Sequence, residues 1–267
     1  MLDKIKELRE KTGAGMVDCK KALEEAGGDM EKAVEILRKK GIAKAAKRME
    51  REANEGLVLV NADAAKNKAF ILEVNSETDF VSRSEKFNKL VNEIFSLIQS
   101  REPKTLDELL SLAMADGNKV KDNLDHLSGV VGEKLGIKNF SILNTAGSVA
   151  SYSHFGGRIG VIVALDQPGK EELAYDLAMQ IAAANPKCVT REEVPAEELE
   201  KEKEIYREQI KKEGKPESMI EKILEGKLNK YFEEICLVDQ EYIKDDKKKI
   251  REILGDAKIE VYARYSL

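Results

Sequence analysis

GLVLVNADAAKNKAFILEVNSETDFV, residues 56–81, is where the period of the apolar residues changes and where the fold is decided. GLVLV at 56–60 and AFILEV at 69–74 flank the polar NADAAKNK, and the pair reads as a β-hairpin with one well-buried strand. The second run ends in NSETDFV at 75–81, which sets an acid and a large aromatic, Asp79 and Phe80, side by side at a corner. A helix is predicted next, with Phe87, Leu90, Val91, Ile94, Leu97 and Ile98 on one face. Ser82 and Glu85 have the S-x-x-E spacing of a capping box, which places NSETDFV on a strand-to-helix junction. Phe80 then has two readings. Lying seven residues before Phe87, it can be a staple packed on the helix's buried face, or it can be an exposed wedge.

Upstream of the hairpin the spacing is helical throughout. Ile5 and Leu8 start a short helix that TGAG at 12–15 breaks; Met16, Cys19, Leu23 and Ala26 mark a second, ended by GGD at 27–29. Asp29 is the expected N-cap of a third helix with Ala33, Val34 and Leu37 on its stripe, closed by Gly41. Residues 42–53, IAKAAKRMEREA, favour helix but carry few large apolar groups, so they read as a helical linker. Downstream, Leu124, Leu127, Val130, Val131 and Leu135 mark another helix and KNFSILNT a strand. The pattern then recurs: SVASYSHF and RIGVIVAL form a hairpin about a glycine turn, followed by a helix through Leu173, Leu177, Met179 and Ile181.

Between Pro195 and about Ile235 the character changes to a charged helical hairpin. Leu199, Tyr206 and Ile210 form a sparse seam on one leg, GKP at 214–216 turns the chain, and Ile220, Leu224, Leu228, Tyr231 and Ile235 return at near-heptad spacing. A charged helix near 245–254 and the strand KIEVYARYSL close the chain.

Composition narrows the function classes. The 267 residues hold 45 Lys+Arg against 50 Asp+Glu, a net charge of −5, so no general affinity for nucleic acid is expected. The first 53 residues have a slight basic bias, 14 Lys/Arg against 11 Asp/Glu by count, which a solvated helix face explains. Three cysteines, Cys19, Cys188 and Cys236, are odd in number and far apart in sequence, as reduced thiols would be. With a charged start and no long apolar run, the chain reads as soluble and cytoplasmic, with no membrane partner.

Few motifs carry chemistry. GAGMVD at 13–18 begins like a dinucleotide fingerprint, but Asp18 replaces the third glycine and a helix precedes it. GGRIG at 156–160 falls within a hairpin, where glycines serve a tight turn. His126 and His154 have no Cys or His at ligand spacing, and His126 reads as a helix-surface residue. No catalytic residue, metal site or cofactor is predicted.

KTGAGMVDCKKALEEAGGD at 11–29, EVNSETDFV at 73–81, SYSHFGGRIGV at 151–161 and KPESMIEKILEGKLNK at 215–230 together resemble the bacterial elongation factor Ts family, over about residues 2–265. The resemblance implies an α+β protein: an N-terminal three-helix ubiquitin-associated-like bundle, a two-subdomain α/β core with antiparallel sheets, and an inserted coiled-coil hairpin. The implied division is 1–41 for the bundle, 42–54 for the linker, 55–146 for the first core subdomain, 147–196 with 236–267 for the second, and 197–235 for the hairpin. The function implied is guanine-nucleotide exchange on elongation factor Tu, bound in its GDP-loaded and nucleotide-free forms, with a homodimer through the hairpin.

Carried over by position, Thr78, Asp79, Phe80 and Val81 match the segment that wedges near the partner's magnesium and phosphate site, with Val131 and Gly132 alongside. His154 matches a residue that pushes near the phosphate-binding loop. Lys6, Arg9, Met16 and Val17 match a surface that grips the helix beside the guanine base. Two rival classes remain: a nucleotide-dependent enzyme, which needs a phosphate cradle, and a plain scaffold, which would bind without changing nucleotide release.

Overall fold

The computed structural model describes residues 1–46, 48, 50–63, 65, 67–213 and 216–267, with 42–46 and 218 described by backbone alone. The expected turn at Gly214 and Lys215, and positions 47, 49, 64 and 66 of the expected linker and hairpin loop, lie outside the described residues. Helices and antiparallel sheets are mixed, giving an α+β fold.

Three helices come first: α1 (Leu2–Thr12), α2 (Met16–Glu25) and α3 (Met30–Ala46). Their apolar stripes meet in a small core of Ile5, Leu8, Cys19, Ala22, Leu23, Ala33 and Leu37. Asp29 caps α3 as expected, its Oδ1 accepting from the Lys32 amide at 3.1 Å. Gly41 does not close α3. The helix continues through it to Ala46, because Gly41 serves a contact rather than a terminus. A Cβ on Gly129, in α7 (Val120–Val131), would lie 2.7 Å from the Gly41 Cα, so the two backbones approach as only glycines permit. Beside that crossing Arg38 pairs with Asp122 at 3.3 Å, and Arg48 Nη1 donates to the Ser128 carbonyl at 3.1 Å.

The core is built around one strand. β1 (Glu55–Asp63) and β3 (Gly136–Asn144) flank β2 (Lys68–Ser76) in an antiparallel sheet. A second antiparallel sheet has the order β4 (Ser148–His154), β5 (Ile159–Leu165), β8 (Ile259–Ser266). β2 is buried from Ala69 to Ser76, which is why AFILEV lacks a polar alternation. Phe70, Leu72 and Val74 pack against α5 (Glu85–Arg101), α6 (Leu106–Ser111) and α7. Ala69 and Ile71 on its other face meet Val149, Ile162 and Ala164 of the second sheet. The far side of that sheet, Val161, Val163 and Leu165, is covered by Ala174, Leu177 and Ile181 of α8 (Glu171–Ala184). Glu73, the one charge in the buried stretch of β2, is held by Lys138 at 2.9 Å.

α9 (Ala196–Lys212) and α10 (Glu217–Ile235) form the helical hairpin, with Ile210, Ile220 and Leu224 buried between the legs. The charged helix expected at 245–254 is only partly helix. Asp245–Lys249 is a strand, β7, paired with β6 (Glu241–Tyr242), and α11 spans Ile250–Leu254. DDKKK has no apolar stripe, so pairing to β6 decides its backbone where periodicity could not.

The glycine crossing generates a prediction. Gly129→Leu should speed amide hydrogen exchange across α3 from Met30 to Lys39, while β2 and β5 keep their protection. Unchanged exchange in α3 would show that the crossing does not hold the bundle to the core.

Candidate functional site

The corner after β2 is tied down at two successive residues. Glu77 accepts from the Lys134 amide at 2.6 Å and from Arg51 Nη1 at 3.2 Å. Thr78 donates twice to Glu133, from its amide at 3.0 Å and its hydroxyl at 2.6 Å. Glu133 itself comes just after Gly132, which ends α7 in the left-handed region, and its carbonyl accepts from Ser128 Oγ at 2.6 Å. The Lys134 amide above all, with Arg51, holds the Glu77 carboxyl below the usual carboxylate range.

Thr78 then starts a single turn of helix, α4 (Asp79–Ser82). Val81 packs towards the helical cluster and Ser82 is buried, which turns Asp79 and Phe80 the other way. Phe80 is 84% exposed, so it is not a staple. Asp79 pairs with Arg83 at 3.2 Å. The expected capping box at Ser82 and Glu85 does not form, since α4 uses Ser82 as its last residue and Ser82 Oγ donates to the Asp79 carbonyl. Ser84 is the N-cap of α5, accepting from the Phe87 amide at 3.3 Å.

The β4–β5 turn lies next to this corner. The Val58 amide donates to the Gly157 carbonyl at 2.8 Å, and Arg158 Nη1 donates to Glu55 Oε2 at 2.7 Å. Glu55 is the register partner of Ser76, so Arg158 bridges from the turn to the start of the corner. Arg158 is held above its ordinary value chiefly by Glu55, with Asp79 contributing. The sheets approach closely here: a Cβ on Gly160 would lie 2.5 Å from Val58 Cγ1. His154 is half-buried, its Nδ1 2.8 Å from the Tyr152 hydroxyl. Phe155, which sequence reasoning passes over, is 73% exposed beside it. The signal is present in the sequence: an aromatic next to glycines in a turn has no strand or helix face to fill.

The structure thus ties Thr78 to Glu133, the residue after Gly132, and ties Glu55, register partner of Ser76, to Arg158 in the turn that follows His154. Val131 is half-buried and packs against the helical core. Lys6 and Arg9 are exposed on α1, and Met16 and Val17 are exposed at the start of α2. The cleft where Ala14, Gly15 and Asp18 face Gly129, Val130 and Gly132 has none of the four in its lining.

A family model described as Elongation factor TS matches residues 77–267. The chain belongs to the elongation factor Ts family. Membership implies nucleotide exchange on elongation factor Tu during translation elongation. The matched segment starts at Glu77, the first clamped residue of the corner, and includes the β4–β5 turn and the helical hairpin; Lys6, Arg9, Met16 and Val17 precede it.

Groups that could carry other chemistry fall into structural places. GAGMVD joins two helices, with Gly13 capping α1 at φ 70°, so it is not the strand-to-helix turn of a dinucleotide site. Cys188 and Cys236 are distant in sequence but adjacent in space, their sulfurs 3.5 Å apart and both free. Burial pushes the Cys236 thiol up to about 12 and raises Cys188 and Cys19 as well, which favours the protonated form at all three. His126 is half-buried rather than on an open helix surface, and burial first, then Arg38 and Lys86, lower its pKa. Among the described residues no group of three or more His, Cys, Asp or Glu could hold a metal, and no helix is long and apolar enough to cross a membrane.

The clamp has a pH signature. Because the Glu77 pKa is lowered on folding, its stabilisation is complete above the ordinary carboxylate value of about 4.3 and is lost as pH falls through the lower folded value. Glu77→Gln should cost about 1 kcal/mol at pH 7. The gap between variant and parent should close on acidification, and denaturant melts at both pH values check it. A gap that persists at the lowest pH would exclude the carboxylate clamp.

Proposed function

We propose that this chain speeds GDP release from elongation factor Tu by pressing Asp79 and Phe80 into the partner near its magnesium and phosphate site. The observation that carries the reading is Phe80, 84% exposed on a turn whose two preceding residues are clamped to the core. A large apolar ring on a clamped turn loses little further freedom when a partner covers it, so its buried area goes into binding. In this reading Thr78, Val81, Val131 and Gly132 shape the rim, and His154 pushes near the phosphate-binding loop. Lys6, Arg9, Met16 and Val17 grip the helix beside the guanine base.

The mechanism is linkage. A protein that binds nucleotide-free elongation factor Tu more tightly than the GDP-bound form must weaken GDP by the same factor. A thousandfold weakening is about 4 kcal/mol. One buried aromatic anchor contributes about 2 kcal/mol or more, so two or three wedges are sufficient. No bond is made or broken, and the chain acts as a binding protein rather than as an enzyme, in the cytoplasm where translation occurs.

The same reading retains the division into bundle, linker, two core subdomains and hairpin, with the ubiquitin-associated-like bundle as a separately docked unit. It also assigns self-association to the hairpin, where Ile205 and Met219 are each 48% exposed outside the internal seam. In this reading the core folds without residues 1–53, whose α3 meets α7 through the Arg38–Asp122 pair and the glycine crossing.

Stopped-flow release of a fluorescent GDP from elongation factor Tu tests the proposal. The chain should accelerate release, and Phe80→Ala should slow it while changing folding stability by no more than about 0.5 kcal/mol. Stable complex formation with release at the unassisted rate would favour a scaffold. Deleting residues 1–53 should leave a core with an intact thermal transition and little exchange activity; loss of that transition would refute the boundary.

A further inference from the structure

Of the seven phenylalanines, five are buried or half-buried and two, Phe80 and Phe155, are exposed, at 84% and 73%. We propose that Phe155 is a second aromatic anchor for elongation factor Tu, docking beside Phe80. This rests on the reading of the Asp79–Phe80 corner as an exchange wedge.

Three observations on the β4–β5 turn converge. The first is backbone strain. Phe155 has φ 50°, in the left-handed region, and Gly156 and Gly157 come next at 66° and 92°. Three successive positive φ angles are a run that glycine fills without penalty and a bulky side chain does not. A phenylalanine kept at the first of them opposes the turn's own preference. Its ring gains little in return from this chain, since it stands mostly in solvent. Strain at an exposed aromatic points to a use outside the fold.

The second is orientation. The Phe155 ring lies 3.9 Å from the His154 ring, tilted at 55°. His154 is 5.7 Å from Tyr152, which meets half-exposed Tyr175 edge-on at 5.8 Å. The Tyr152 hydroxyl bonded to His154 Nδ1 fixes the imidazole, and the imidazole supports the Phe155 ring. A ring positioned in this way loses little freedom when a partner covers it.

The third is continuity, and it names the occupant. Gly157 is tied to β1 through Val58, and Arg158 reaches Glu55, the register partner of Ser76 where the corner begins. Asp79 is close enough to raise the Arg158 pKa. The two exposed phenylalanines therefore lie on turns linked through Arg158, Glu55 and the pairing of Glu55 with Ser76, and the partner that covers Phe80 is the one placed to cover Phe155.

Phe155→Gly separates this role from a structural one, because the backbone favours glycine there. The variant should melt at or above the parent's temperature, while the concentration giving half-maximal acceleration of fluorescent GDP release should rise about tenfold. Phe155→Tyr should restore most of the loss. Phe80→Ala, measured beside it, keeps the two claims apart. If Phe80→Ala slows release and Phe155→Gly does not, the second anchor is wrong and the corner reading stands. A lower melting temperature with full activity per folded molecule would make Phe155 structural and overturn the proposal. Parent-like release in both variants would overturn both readings.

Discussion

β2 has no solvent face: Phe70, Leu72 and Val74 pack on the helices and Ala69 and Ile71 on the second sheet. Both layers of the core depend on that strand. A one-residue slip would exchange its two apolar sets, presenting the larger side chains to a sheet that approaches closely enough to require glycine at 160. The register is therefore strongly specified, and the point where the strand must leave the core, Asn75 to Glu77, is fixed with it.

Beyond the strand, the path of the chain is determined by polar bonds rather than apolar burial. Glu77 and Thr78 fasten to the amide and carboxylate of adjacent residues 134 and 133, so the corner and the end of α7 behave as one piece. Charge-assisted bonds of this kind contribute about 1.5 to 3 kcal/mol each when well formed. Only after that anchorage does α4 make its single turn, burying Ser82 and leaving Phe80 out. An exposed aromatic on a free loop would lose conformational entropy on binding; one on a clamped turn has lost most of it in folding. In the proposed reading, that difference is what suits so short a segment to the role of a wedge.

Much of this is legible in the sequence, and the failures have physical causes. The change of period at 56–81 reveals the hairpin and its buried strand, because burial on both faces requires an unbroken apolar run. Asp29 is legible as a cap because its carboxylate bonds locally. Gly41 reads wrongly as a terminus, since its reason for being glycine lies 88 positions away at Gly129. Ser82 reads as the cap in place of Ser84 because both offer a hydroxyl, and only the intervening turn of α4 decides between them. The approach of Cys188 to Cys236 spans the whole hairpin and has no local trace. Family resemblance locates Asp79 and Phe80, whereas Phe155 has only the weak signal of an aromatic beside turn glycines, and its exposure and backbone angle single it out.

Exchange driven by binding energy alone has a quantitative consequence through linkage. The dissociation constant of GDP from elongation factor Tu can be measured by calorimetry with and without a saturating amount of this chain, and that of the chain measured with GDP-loaded and nucleotide-free elongation factor Tu. The two ratios must agree, and a thousandfold ratio would correspond to about 4 kcal/mol of coupling. Equal ratios well above one are the expected result. Equal affinity of the chain for the two forms of the partner would contradict this mechanism, because a protein that does not discriminate between them cannot displace GDP.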